Sequence, residues 1–176
     1  MKMKIILIFV TTLDGKITKW GDSDIRSWSS GDDQDYFDTI WNETRIIIMG
    51  AGTYDPSPVK PVQKHLYLVL THHPEKYKIN EVKGQLEFTD EPPRQLMTRL
   101  ENQGEETILV VGGPHVATLF LREKLIDELW LTLEPKIFGT GGNFVTDEEF
   151  DISLVLLNSE IVNDQGTIIN KYMVIK

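Results

Sequence analysis

Residues 107–142 read TILVVGGPHVATLFLREKLIDELWLTLEPKIFGTGG, and the reading of this stretch decides the fold. A short apolar run, Ile108 to Val111, stops at Gly112-Gly113, and after Pro114 the residues Val116, Leu119 and Phe120 recur at helical spacing. A second apolar run, Leu129 to Leu133, ends at Glu134-Pro135, and a glycine cluster closes the unit. Strand, glycine turn, helix and strand in this order predict a parallel crossover. Paired glycines between a strand and a helix let backbone N–H groups and the positive helix end approach an anion, usually a phosphate. A lone Gly-Gly serves equally well as a tight turn with no ligand. The weight therefore falls on a second turn of the same kind, earlier in the chain.

That turn is Gly50-Ala51-Gly52-Thr53-Tyr54, which follows the buried run Arg45 to Met49 and adds the Thr53 hydroxyl as a donor. Lys4 to Thr11 is β-branched and almost continuously apolar, which predicts a strand buried on both faces. It breaks at Thr12-Leu13-Asp14-Gly15-Lys16-Ile17, leaving Asp14 and Lys16 at the mouth of that strand. Trp20 to Ser30 reads as a loop whose two tryptophans, Trp20 and Trp28, either cap the core or line a pocket. Ser30-x-x-Asp33 has the form of a capping box at the start of a helix, with Asp33, Phe37, Ile40 and Trp41 on one side of it. Capping is the common reason for an acid in a first turn. His65 to Leu70 and Leu86 to Thr89 are further strands, Pro56 to Pro61 is a loop, and Pro92 to Asn102 is an amphipathic helix. Leu154 to Ile161 and Thr167 to Ile175, joined by Asn163-Asp164-Gln165-Gly166, form an antiparallel hairpin. The expected architecture is one α/β domain over residues 1–176, a mainly parallel twisted sheet flanked by helices and finished by that hairpin.

At 176 residues with a net charge of −9 and no cysteine, the chain excludes several classes. Nucleic-acid binding needs clustered Lys and Arg, so no nucleic-acid partner is expected. No apolar run is long enough to span a bilayer or to resemble a signal peptide, so no membrane partner is expected, and the lack of cysteine fits a cytoplasmic protein. The pair His72-His73 lacks partners at ligand spacing, so no metal is expected. An anionic ligand must be held by local positive potential, because the global field repels it. In an open α/β sheet ligands sit beyond the carboxyl ends of the strands. Asp14 to Lys16, Gly50 to Tyr54, Thr71 to His73 and Gly112 to Val116 fall there. Two glycine turns flanking one cleft suit the two phosphates of a dinucleotide, although G-x-G-x-x-G and a P-loop lysine are both absent.

Five segments in order carry a resemblance: TTLDGKIT, S-x-x-D-x-x-x-F, IIIMGAGTY, ILVVGGPHV and LIDELWLTLEPKIFGTGG. They resemble the dihydrofolate reductase superfamily, in particular its branch with the C-terminal reductase domain of the bifunctional riboflavin-biosynthesis deaminase-reductase. The resemblance implies a dihydrofolate reductase-like fold and an oxidoreductase that takes hydride from NADPH to a small heterocycle. The nearest named activity is 5-amino-6-(5-phosphoribosylamino)uracil reductase of riboflavin biosynthesis. Dihydrofolate reduction and a non-catalytic dinucleotide-binding protein are the alternatives. By the same resemblance Gly50, Thr53 and Tyr54 match the first nucleotide-binding turn, and Gly112, Gly113, His115 and Val116 the phosphate-binding turn. Asp14 and Lys16 match the segment facing substrate in the riboflavin branch, Asp33 the acid that orients and protonates a pteridine, and Thr132 the threonine supporting that acid. A homodimer, with the C-terminal hairpin contributing, is also implied.

The departures bear on cofactor choice. Ala51 stands where dihydrofolate reductases place an arginine, and Asp55-Pro56-Ser57-Pro58 lacks the arginine of the riboflavin enzymes, with Lys60 and Lys64 the nearest cations. Thr71, His72, His73 and Lys76 are then the candidates at the right strand end to hold a 2′-phosphate, since such a group needs donors or positive charge near the adenine ribose.

Overall fold

The computed structural model describes residues 3–176; residues 1 and 2 of the expected domain lie outside the described residues. Its eight strands are β1 (Lys4–Thr12), β2 (Ile46–Gly50), β3 (Leu66–Leu70), β4 (Leu86–Thr89), β5 (Thr107–Val110), β6 (Glu128–Glu134), β7 (Leu154–Ile161) and β8 (Ile168–Val174). They form one sheet in the order β4-β3-β2-β5-β1-β6-β8-β7. The first six positions pair in parallel, and β8 and β7 are antiparallel to their neighbours. The expected mainly parallel sheet with a C-terminal hairpin is therefore what the chain forms.

Strand order follows from burial. β1 is apolar at nearly every position, and a strand with no polar face belongs in the middle of a sheet covered on both sides. It lies between β5 and β6, so the crossover through residues 107–134 is parallel but steps over β1 instead of joining neighbours. Helices α3 (Pro93–Asn102) and α4 (Pro114–Arg122) cover one face, packing Leu96, Leu100 and Phe120 on Leu7, Ile48 and Val110. Helix α1 (Gly31–Glu43) and the single turn α2 (Ala51–Tyr54) cover the other, setting Phe37, Ile40, Trp41 and Tyr54 against Ile6, Ile47, Tyr67 and Leu109. The chain leaves β1 toward β2 but crosses back from β5 to β6, so the topology switches at the carboxyl ends of β1 and β5, where a crevice opens in sheets of this kind.

One local expectation changes: the loop before α1 contains a short 3-10 turn, Ile25–Ser27, with the Asp24 side chain accepting from the Arg26 N–H. In the hairpin Ile169 is buried, whereas every residue of β7 is exposed along the open edge of the sheet. Among the described residues, no helix is long and apolar enough to cross a membrane.

Phe120 is fully buried at the centre of the layer between α4 and the sheet. Phe120→Ala is expected to cost about 3–5 kcal/mol of unfolding free energy, read from urea denaturation midpoints, because the lost transfer energy and the residual cavity add.

Candidate active site

The two glycine turns touch. β2 and β5 are neighbours, and the Gly50 N–H donates to the Gly112 carbonyl at 2.9 Å. A Cβ on Gly50 would stand 3.0 Å from Val116 Cγ2, and one on Gly113 would stand 3.2 Å from Thr53 Oγ1. Gly112 has φ +123, a backbone conformation that side chains disfavour, and the Gly112–Gly113 peptide is cis. The space on the far side of Gly113 is thus taken by Thr53, and glycine is needed there first for the turns to nest. Above them α4 begins at Gly113 with no side-chain cap. The N–H groups of His115 and Val116 in its first turn consequently have no intrahelical acceptor. Uncapped donors, a positive helix end and the Thr53 hydroxyl make a cradle that fits a pyrophosphate. Tyr54, by contrast, is buried edge-on against Phe88 and supports the turn from beneath.

At the other side of β1 the carboxyl end of β6 holds two buried acids. Period-two alternation along β6 points Glu128, Trp130, Thr132 and Glu134 to the α1 face. Asp33, in the first turn of α1, meets them there and is 5% exposed; Glu134 is 1% exposed. The capping box forms only in half. Ser30 Oγ accepts from the Asp33 N–H at 3.2 Å, but the Ser30 N–H donates to Glu134 Oε1 at 2.7 Å. The Asp33 carboxylate is therefore not spent on capping its own helix. Burial pushes it from the ordinary 3.8 up to about 6, and the charge of Glu134 pushes the same way. The hydroxyls of Thr132 and Ser29 and the guanidinium of Arg26 act against the rise. A carboxyl so placed carries a proton close to neutral pH. The sequence reading missed Glu134, although its position two residues after Thr132 was signal enough to put it on that face.

Asp14 behaves in the opposite way. The Thr12 hydroxyl donates to its Oδ1 at 2.5 Å, and the Phe138 and Gly139 N–H groups donate at 3.1 and 2.7 Å. These bonds, the Thr12 hydroxyl foremost, hold the carboxyl down at about 2, so Asp14 stays ionised and cannot deliver a proton at neutral pH. Lys16 reaches Asn143 Oδ1 with its Nζ at 2.9 Å. The Ile17 N–H donates to the Gly142 carbonyl at 2.8 Å. At Gly141, φ is +147 and a Cβ would fall 2.0 Å from the Thr18 carbonyl oxygen. The first loop and the glycine cluster after β6 are accordingly zipped together, with Asp14 and Lys16 as fasteners. Phe138 in that cluster meets Trp28 and Trp20 edge-on, with ring centroids 5.1 and 6.0 Å apart. Trp28 is buried and Trp20 exposed, so one tryptophan caps the core and the other fringes the mouth.

The end of β3 is open. Thr71 is half-buried with its Oγ1 accepting from the His73 N–H at 3.2 Å, which leaves the hydroxyl hydrogen free to donate outward. His72 is exposed, while His73 lies 3.3 Å from Glu75. Lys64 is turned to Asn42 at 3.2 Å and stands away from the phosphate cradle's donors as a cation engaged elsewhere.

A mainly parallel sheet with its switch point at β1 and β5, glycine turns on one side and a buried acid on the other, defines a protein of the dihydrofolate reductase-like class. The sequence profile of the RibD C-terminal domain matches residues 3–167, and the chain belongs to that family. It is 28% identical to the uncharacterised protein YwjB of Bacillus subtilis over 146 residues, 80% of this chain and 82% of that one. Its fold is similar to the deaminase/5-amino-6-(5-phosphoribosylamino)uracil reductase of Thermotoga maritima, with TM-score 0.73 and 20% identity over 98% of this chain and 56% of that one. Dihydrofolate reductase from Enterococcus faecalis, complexed with NADP(H), aligns with TM-score 0.68 and 18% identity, covering 98% of this chain and 97% of its own.

The raised Asp33 has a consequence for stability. The folded state binds this proton more tightly than the unfolded chain, so the contribution is complete below about pH 4 and is lost as pH rises to about 6, where it levels off. Wild type is expected to lose up to about 3 kcal/mol relative to Asp33→Asn across that window. Urea denaturation of both proteins from pH 4 to pH 7 checks this.

Proposed function

We propose that the protein is an NADPH-dependent reductase of a small heterocyclic substrate, with 5-amino-6-(5-phosphoribosylamino)uracil reduction as the nearest named activity. The observation that carries this reading is the buried, proton-holding Asp33 at the same sheet edge as an uncapped helix end and nested glycine turns. Membership of the RibD C-terminal domain family supports it. Bound NADPH would supply the hydride. The chain's own part is to hold the pyrophosphate with the His115 and Val116 N–H groups and the Thr53 hydroxyl, beside Gly50, Gly112 and Gly113. Thr71, half-buried, and His72, exposed, would hold the 2′-phosphate where Ala51 leaves no arginine to do so. Asp33 would orient the heterocycle and give its proton to the substrate atom that gains electron density in the reduction, with Thr132 steadying the carboxyl. Trp28 Nε1, buried without a protein acceptor, offers a further donor at this wall. Lys16 and Asp14 shape the mouth by holding the glycine loop.

One observation favours the folate-type arrangement within this reading. Of the two acids proposed for the substrate side, only Asp33 titrates near neutral pH; Asp14 is kept ionised by the Thr12 hydroxyl first and by the Gly139 and Phe138 N–H groups. Dihydrofolate is accordingly the second substrate to try.

Thr53→Ala is the clean test of the cradle, because it removes a donor without crowding Gly113. It is expected to weaken NADPH binding roughly threefold to tenfold with the thermal midpoint nearly unchanged, as loss of one hydrogen bond to a charged group predicts. Asp33→Asn is expected to leave that affinity intact while slowing NADPH oxidation on pyrimidine or pterin substrates by about a hundredfold. Titration calorimetry and stopped-flow absorbance read the two effects, and unchanged values in both variants would overturn the assignment.

We also propose a cytoplasmic homodimer joined through β7. Support comes from the exposed Leu154, Val155, Leu156 and Leu157 on an edge strand whose outer backbone groups have no sheet partner. A second copy laid antiparallel would extend the sheet and cover these residues. Sedimentation at micromolar concentration should show a dimer, and Leu156→Lys should raise its dissociation constant roughly tenfold or more. A monomeric wild type would remove the proposal.

A further inference from the structure

The turn between β7 and β8 reaches the acid site by a closed ring of hydrogen bonds. The Thr167 hydroxyl, fully buried, donates to Glu134 Oε2 at 2.8 Å. Asn163 settles which way that hydroxyl points. Its Oδ1 accepts from the Thr167 N–H at 3.0 Å, which fixes the amide so that Nδ2 donates to Thr167 Oγ1 at 3.0 Å and to Asp32 Oδ2 at 3.1 Å. With a donor already aimed at its oxygen, the threonine can spend its one hydrogen only on Glu134. The Ser30 N–H supplies the other oxygen of Glu134 at 2.7 Å, and Ser30 in turn caps α1 beneath Asp33. Glu134 is thus an acceptor at both oxygens.

We propose that Thr167, oriented by Asn163, is a positioning residue that decides which of two buried carboxylates carries the proton. By donating to Glu134 it keeps that group ionised and leaves the proton to Asp33. The inference deepens the reading of Asp33 as proton donor and rests on it. Two carboxyl groups in one buried site share protons as a pair, and the better-solvated or better-hydrogen-bonded member ionises first. Here the donors are divided unequally. Glu134 receives a backbone N–H and a dedicated hydroxyl from β8's turn, while Asp33 faces the hydroxyls of Thr132 and Ser29. The charged and titratable groups around Asp33 are Glu134 from β6, Arg26 from the turn before α1, and Tyr36 one turn further along its own helix. Of these, Glu134 meets the hairpin's turn through Thr167, and Tyr36 meets its strands through Lys171, which lies over the ring at 5.8 Å, and through the charge of Glu160.

The test is a titration of the Asp33 side-chain carbonyl by 13C NMR, assigned with Asp33→Asn, which needs neither cofactor nor substrate. Thr167→Val should lower the Asp33 midpoint by roughly one pH unit, because the proton moves to Glu134 once that carboxyl loses its donor. Thr167→Ser keeps the hydroxyl and should restore the wild-type midpoint. Asn163→Ala, in the exposed turn, frees the hydroxyl to rotate and should give a smaller fall, roughly half as large. This variant serves if Thr167→Val does not fold. Equal midpoints in wild type, Thr167→Val and Asn163→Ala, or a failure of Thr167→Ser to restore the value, would overturn the proposal. Where turnover is measurable, the pH–rate midpoint should move with the NMR midpoint; a merely structural role would lower the rate without moving it. If the reductase reading fails, turnover is absent while the NMR series still reports on Thr167.

Discussion

A strand that is apolar on both faces can be buried only between two layers, and β1 imposes this constraint on the whole molecule. Everything near it must supply a neighbour strand or a covering helix. β5 and β6 take the two sides, α3 and α4 the cover on one face, and α1 with α2 the cover on the other. The same constraint creates the crevice. The chain leaves β1 toward β2 on one side and later crosses back over β1 from β5 to β6 on the other, so the carboxyl ends of the central strands are not roofed by their own connections.

Two opposite electrostatic problems are solved along that edge. On the β2–β5 side the proposed anion would meet a protein of net charge −9, and the means to hold it are local: backbone N–H groups, an uncapped helix and a hydroxyl, none carrying a formal charge. On the β6 side two carboxyls are buried together, a situation that is costly unless one keeps a proton or every lone pair finds a donor. Each oxygen of Glu134 finds one donor, from Ser30 and from Thr167, while burial raises the Asp33 carboxyl to about 6. The cost is met by the helix cap and the hairpin turn, elements far apart in the chain. Asp14 shows what the alternative looks like: a carboxylate at the surface, given backbone donors, becomes a fixed anion that fastens loops and has no proton to give.

The open edge at β7 stands apart from this economy of cover. Its first half, Leu154 to Leu157, is three leucines and a valine at an edge where charges or proline are usual, and the turn that joins it to β8 reaches Glu134. A second copy laid on β7, as proposed, would rest on the same hairpin that supplies the hydroxyl to Glu134.

Much was legible in the residues alone. The runs 4–12, 46–50 and 107–110, the Gly-Gly turn before Pro114 and the hairpin all announced themselves, because hydrophobic periodicity and turn chemistry are local properties. So did Asp33 on an apolar helix face, whereas Thr132 was named through the family resemblance alone. Three things were decided only by the tertiary structure. Strand order was one, since the crossover from β5 to β6 skips β1 for reasons of burial that no local pattern contains. The role of Gly113 was another: its missing side chain faces Thr53, a residue some sixty positions away that only pairing of β2 with β5 brings near. The third was the division of labour among the acids. A sequence shows Asp14, Asp33 and Glu134 as three similar carboxyls. Which one keeps a proton depends on the donors each meets, and those donors come from Phe138, Gly139, Ser30 and Thr167, which the fold alone assembles.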